Sequence, residues 1–195
     1  MRAEARSRGE AGAPTQWVAA DAGGGGAQAP IMEDEMKQDI VLKVNGQTYQ
    51  INIETHRTLI EVLRETLGFT GTKKSCSEGE CGACTVLLDG KPVASCLVLA
   101  VAAQGKEIVT IEGLSQGEKL HPVQEAFVKY AAIQCGFCTP GMVLAAKAFL
   151  EENPEPTPAE VRRAISGNLC RCTGYQQIVD AVMAAASAMK KGTPV

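Results

Sequence analysis

Four cysteines fall within twenty-one residues in the stretch CSEGECGACTVLLDGKPVASC, at the spacing Cys76-x4-Cys81-x2-Cys84-x11-Cys96. Thiolates are soft ligands for iron and zinc, and three of them within nine residues can share a centre only if the backbone curls around it. Gly79 and Gly82 permit the positive φ angles and close approach that such a curl demands. Amides facing inward from the loop would donate hydrogen bonds to the sulfurs and stabilise a negative centre. C-x4-C-x2-C with a distant fourth cysteine is the plant-type pattern for a [2Fe–2S] cluster, whereas zinc favours cysteine pairs that close a tetrahedron. The first set therefore points to iron and sulfide. Ordinary buried thiols explain it poorly, because cysteines spread over glycine-rich polar sequence form no apolar face.

The other four cysteines are Cys135-x2-Cys138, in QCGFCTPG, and Cys170-x1-Cys172, in GNLCRCTGY. Each pair lies just ahead of an expected helix, where free amides and the positive end of the dipole favour an anionic centre. Two such loops, brought together by a helical bundle, would make a four-thiolate pocket. Spacing alone leaves zinc a rival here. His56 and His121 are the only histidines, and neither has the spacing of a histidine-ligated Rieske centre. Both read as surface or capping residues. Arg171, between two candidate ligands, would either offset cluster charge or face a partner, or be simply solvated. No nucleophile, general-base constellation, phosphate loop or dinucleotide fingerprint occurs, so the chain is not expected to transform an organic substrate alone.

Local elements must hold these thiols in place. The run IVLKVNGQTYQINI alternates about Asn45-Gly46, a type I′ turn pair, and predicts a β-hairpin. TLIEVLRETLG has Thr58 and Glu61 in capping-box register, with Gly68 as a stop, and predicts a short amphipathic helix. CTVLLDGKPVASC predicts a second hairpin about Asp89-Gly90, and EIVTIEGL a further strand, for about five strands in all. After the polar link SQGEKLHP come four expected helices. They start near His121-Pro122, at Thr139-Pro140-Gly141, at Thr157 to Glu160, and at about Tyr175, the last running to Met189. Thr139 and Thr157 each precede a proline in the N-cap then N1 arrangement. Residues 1–35, with the run Gly23–Gly26 and the lone Trp17, read as a disordered extension, and Met32 or Met36 as a possible natural start.

The chain has 195 residues, 45% of them hydrophobic, and a net charge of −3. No run approaches the roughly 20 apolar residues of a membrane helix. Lysines and arginines are scattered, so no phosphate-neutralising face forms and nucleic acid is not an expected partner. The N-terminus lacks both an apolar signal core and a twin-arginine pair, which with eight cysteines outside a mini-protein framework predicts a cytoplasmic, metal-binding chain.

Taken together, the blocks GTKKSCSEGECGACTV, GKPVASC, QCGFCTPGM and GNLCRCTGY resemble the two-cluster iron–sulfur subunit of the molybdenum hydroxylases. That family includes xanthine dehydrogenase, aldehyde oxidoreductases, aerobic carbon monoxide dehydrogenase and hydroxybenzoyl-CoA reductase. The resemblance spans roughly Ile40 to Met189, and the glycine-rich extension before Met36 departs from it. It implies an α+β fold, with a plant-ferredoxin-like β-grasp domain over 36–114 followed by a four-helix [2Fe–2S]-binding domain over 115–195. By resemblance, Cys76, Cys81, Cys84 and Cys96 hold one [2Fe–2S] cluster, and Cys135, Cys138, Cys170 and Cys172 hold the other. The implied partners are a large subunit carrying molybdenum on a pterin and a medium subunit carrying FAD, assembled as a dimer of heterotrimers. Electrons would pass singly from molybdenum to the helical-domain cluster, then to the β-grasp cluster and FAD, or in reverse as in hydroxybenzoyl-CoA reductase. Gln134 and Cys172 match the family positions that contact the pterin. The chain would thus be the iron–sulfur subunit of a multi-subunit oxidoreductase. A free-standing ferredoxin and a double zinc module are the rival classes.

Overall fold

The computed structural model describes residues 36–115, 117–193 and 195. The expected disordered extension, with Trp17 and the glycine run, lies outside the described residues. Strand β1 (Lys37–Val44) buries Ile40, Leu42 and Val44 on one face, the period-2 alternation of a sheet packed on one side. Asn45 and Gly46 both take positive φ, 52° and 78°, and this primed turn returns the chain as β2 (Gln47–Glu54).

The next helix starts as expected and continues differently. Helix α1 (Leu59–Glu61) has its capping box, in which the Glu61 carboxylate accepts from the Thr58 N–H at 3.0 Å and hydroxyl at 2.8 Å. It then widens into a π-helical turn over Val62–Thr66, closed by the Leu67 N–H on the Val62 carbonyl at 3.0 Å. Leu59, Ile60, Val62 and Leu63 are all buried, more apolar positions than one α-helical stripe presents over so short a span.

Strands β3 (Thr85–Leu88) and β4 (Lys91–Ala94) form the second hairpin about Asp89 and Gly90. Strand β5 (Glu107–Val109) runs parallel to β1 and antiparallel to β3, which gives the sheet order β2-β1-β5-β3-β4. Among the described residues five strands form, but β5 is shorter than EIVTIEGL suggested, because the chain turns into a 3-10 segment at Ile111–Gly113. Asn45 diverts it. Its Oδ1 accepts from the Thr110 N–H, and its Nδ2 donates to the Thr110 hydroxyl, both at 2.9 Å.

Four helices follow: α2 (Pro122–Lys129), α3 (Thr139–Glu152), α4 (Pro158–Ala164) and α5 (Gln176–Lys191). Thr157 and Glu160 make the expected capping box. At α3 the expectation needs correction: the N-cap is Cys138, and Thr139 is already helical. The Met142 N–H bonds the Cys138 carbonyl at 3.0 Å, so the first turn closes one residue earlier. Pro140 tolerates the shift, since the first N–H groups of a helix need no intrahelical partner. Among the described residues no helix is long and apolar enough to cross a membrane.

Two cores meet at β3. Val86 packs with Ile40, Leu42, Leu59, Leu63 and Ile108 beneath α1. Leu87, on the opposite face, joins Phe127, Met142, Leu144, Ile178 and Val182 of the helices. One strand therefore carries the helical half on one side and α1 on the other, and the cysteine loops adjoin it.

Candidate metal centres

The β3–β4 hairpin explains the x11 spacing of the first set. Cys84 immediately precedes β3, Cys96 lies just beyond β4, and Thr85 is in register with Ala94, so the open end of the hairpin brings the two thiols together. Both are buried and packed against Ile60 of α1. Burial, with the neighbouring Cys84 thiol, pushes the Cys96 pKa up to about 11.

Cys76 and Cys81 form the outer pair of this set, half-buried, in a loop curled by positive φ at Ser77, Gly79 and Gly82. The Glu78 N–H points at the Cys76 sulfur at 3.5 Å. That amide first, then the Cys81 thiol and the Cys81 and Glu80 amides, bring Cys76 down to about 7. The inward amides expected of a cluster loop are thus in place.

The helical set repeats this two-by-two arrangement. Cys172 and Cys135 face each other with sulfurs 3.5 Å apart at the exposed edge, and Gln134 is exposed beside them. The Phe137 N–H lowers the Cys135 pKa, while the bond to Cys135 raises that of Cys172. On the inner side Cys138 neighbours Cys170, and burial, with that thiol, pushes Cys138 up to about 12. Burial acts on Cys170 too, but the Thr173 hydroxyl, 3.2 Å away, and the Thr173 and Cys172 amides outweigh it and hold its pKa below the usual thiol range. Cys138 stands at the α3 N-cap as the dipole argument required, whereas Cys170 and Cys172 lie in a loop ahead of α5, whose N-cap, Tyr175, takes φ 70°.

All eight thiols are unbridged, and they lie as four neighbouring pairs, Cys76 with Cys81, Cys84 with Cys96, Cys135 with Cys172 and Cys138 with Cys170. Among the described residues no three of His, Cys, Asp or Glu converge as ligands of a single ion. Pairs of thiolates suit a centre with two metals, each taking two protein sulfurs, better than one tetrahedral zinc. His56 is exposed beside Glu54, and His121 caps α2 through Nδ1 at 3.2 Å from the Val123 N–H, as their surface or capping reading required. Arg171 is exposed.

Three supporting residues carry no metal-ligand chemistry and had no assigned role in the sequence. The Tyr175 hydroxyl accepts the Cys170 N–H at 2.8 Å, and Thr173 Oγ1 accepts the Tyr175 N–H at 3.1 Å. Asn168 is buried against the first loop. Their sequence signal is placement within the block GNLCRCTGY, close to the candidate ligands Cys170 and Cys172.

A sheet half and a helical half, each with four unbridged thiols, suit a two-centre iron–sulfur protein, and comparison with known proteins gives two such domains. Residues 42–110 match the model of the 2Fe-2S iron-sulfur cluster binding domain, and residues 110–183 match that of the [2Fe-2S] binding domain. The chain is 49% identical over 146 residues to the nicotinate dehydrogenase small FeS subunit of Eubacterium barkeri, spanning 75% of this chain and 93% of that protein. It is 51% identical over 142 residues to the xanthine dehydrogenase iron-sulfur-binding subunit of Escherichia coli O157:H7, spanning 72% and 89%. Quinoline 2-oxidoreductase from Pseudomonas putida 86 superposes with a TM-score of 0.77 at 50% identity, over 80% of this chain and 98% of that chain. Aldehyde oxidoreductase from Desulfovibrio gigas superposes at 0.76 with 44% identity, over 80% of this chain but 18% of that much longer one. The chain belongs to the family of two-[2Fe–2S] iron–sulfur subunits of the molybdenum hydroxylases.

Proposed function

We propose that this chain relays single electrons between a molybdenum–pterin site in a large partner subunit and FAD in a medium one. Cys76, Cys81, Cys84 and Cys96 would hold one cluster in a β-grasp domain over 36–114. Cys135, Cys138, Cys170 and Cys172 would hold the other in a four-helix domain over 115–195. A [2Fe–2S] cluster supplies reversible one-electron chemistry at a potential set by charge, hydrogen bonds and exposure.

The observation that carries this reading is the two-by-two pairing of eight unbridged thiols in two loops lined with amides. Within each set the chain's own groups sort the pairs by depth. Ile60 shields Cys84 and Cys96 from water, and the Glu78 amide stabilises negative charge on Cys76. In the helical set the exposed pair, Cys135 and Cys172, lies where a partner's cofactor can approach, with Gln134 beside it. That placement supports the pterin contact of Gln134 and Cys172. The relatives' names, a small FeS subunit and an iron-sulfur-binding subunit, support separate partner chains; the assembly proposed is a dimer of heterotrimers. Unbridged thiols fit a reducing cytoplasm.

Low-temperature EPR on the anaerobically reduced protein, purified with whatever accompanies it, tests the proposal when iron, zinc and molybdenum are quantified on the same sample. Two distinct [2Fe–2S] signals with molybdenum present are expected. Two signals in a chain that purifies alone, without molybdenum, would indicate a diffusing ferredoxin. Zinc in place of iron would indicate a scaffold.

A further inference from the structure

Three segments of the chain converge on one carbonyl oxygen, that of Gly82, and each lies within three residues of a candidate ligand. Gly82 stands between Cys81 and Cys84, Gly141 three residues after Cys138, and Asn168 two before Cys170. The Asn168 side chain is 5% exposed. Its Nδ2 donates to the Gly82 carbonyl at 2.9 Å and to the Thr85 hydroxyl at 3.2 Å. That hydroxyl donates in turn to the same carbonyl at 2.7 Å. A carbonyl can only accept, so the amide nitrogen, and not the amide oxygen, must face it.

Contact at this point leaves no room for a methyl group. A Cβ at Gly82 would overlap the Gly167 carbonyl oxygen, and one at Gly141 would overlap the Gly82 carbonyl oxygen. Gly141 lies in the first turn of α3, where glycine is otherwise unfavourable, and close approach of two backbones accounts for it. Thr85 and Cys84 are also buried, so water cannot replace a lost hydrogen bond without opening the packing.

We propose that Asn168 is a positioning residue that sets the separation and relative orientation of the two cluster sites by clamping the loop ahead of Cys170 onto the loop between Cys81 and Cys84. The proposal rests on the two-cluster reading above. Electron exchange across the junction oxidises one site as it reduces the other, and no bond forms or breaks. Its rate falls steeply with distance. A residue that ligates neither cluster thereby controls the step between them.

The test uses the full chain with the subunits that accompany it, and reads iron content, the two EPR signals, the splitting each reduced site imposes on the other, and the internal exchange rate after rapid partial reduction. Failure of the wild type to show two [2Fe–2S] signals would defeat the two-cluster reading, separately from this proposal. Asn168→Asp keeps the volume but turns a carboxylate oxygen against the Gly82 carbonyl. Thr85→Val deletes the bridging hydroxyl, and Thr85→Ser retains it. In Asn168→Asp and Thr85→Val both signals and full iron are expected, with altered splitting and exchange slowed severalfold, while Thr85→Ser matches the wild type. A merely structural role would lower the melting temperature and leave splitting and exchange unchanged; that result in either variant with full iron overturns the proposal. Should Asn168→Asp lose iron, the Thr85 pair decides by the same criterion.

Discussion

Leu169 donates its backbone N–H to the carbonyl of Cys81 at 2.9 Å. A single hydrogen bond therefore joins the residue preceding Cys170 to a candidate ligand of the other set, across 88 positions of sequence. This main-chain bond joins the same two cysteine loops that the Asn168 side chain bridges one residue earlier.

Cys81→Ser replaces one member of the outer pair of the first set. A serine oxygen is a harder, more basic donor than thiolate and suits iron–sulfur ligation poorly. The sheet-half EPR signal is expected to disappear or shift markedly while the helical-half signal persists, with iron falling toward half. Loss of both signals from a chain that still melts cooperatively would contradict independent assembly of the two sites.

Gln134→Ala removes an exposed side chain beside the Cys135–Cys172 edge. Both clusters should assemble with unchanged spectra, because Gln134 supplies no ligand. In the purified complex, the splitting of the molybdenum(V) signal by the reduced helical-half cluster should weaken. An unaltered splitting would remove Gln134 from the electron entry point.

In the metal-free chain the thiols should separate by reactivity, since thiolate rather than thiol is the nucleophile. The Glu78 amide and its neighbours lower Cys76 to about 7, so its thiolate form, and its alkylation rate, should rise as pH increases through that value. Burial raises Cys96 to about 11 and Cys138 to about 12, and these stay protonated and slow throughout the neutral range. Mass spectrometry after a brief iodoacetamide pulse at several pH values reads this order directly. Equal labelling of Cys76 and Cys96 at neutral pH would show that the amide-lined loop exists only around metal.

Tyr175→Phe deletes the hydroxyl that accepts the Cys170 N–H at 2.8 Å. Stability should fall by about 1 kcal/mol, the usual net value of one such bond. The helical-half EPR signal and its midpoint potential should shift while those of the sheet half stay in place, because Tyr175 caps α5 and its hydroxyl bonds the Cys170 N–H. A shift confined to the sheet half would mean the two signals had been assigned the wrong way round.

Sequence by itself determined the parts of this protein whose causes are local. Asn45-Gly46 and Asp89-Gly90 dictated their hairpins because a two-residue turn with two positive φ angles admits few residue types. Thr58 with Glu61, and Thr157 with Glu160, marked helix starts because a capping box is closed within four residues. The first set of cysteines was legible for the same reason, since loop spacing and the β3–β4 hairpin span only Cys76 to Cys96, whereas the pairs Cys135/Cys138 and Cys170/Cys172 meet only through the packing of the helices. Tertiary structure decided what depends on contacts between distant segments. Asn45 cut β5 short by bonding Thr110, 65 positions away. Asn168 acquired a role only when the chain folded it onto Gly82, 86 positions back. Local patterns record turns and ligands, but the meeting of two backbones in a buried junction is set by the packing of β3 between two cores, which no stretch of either segment contains.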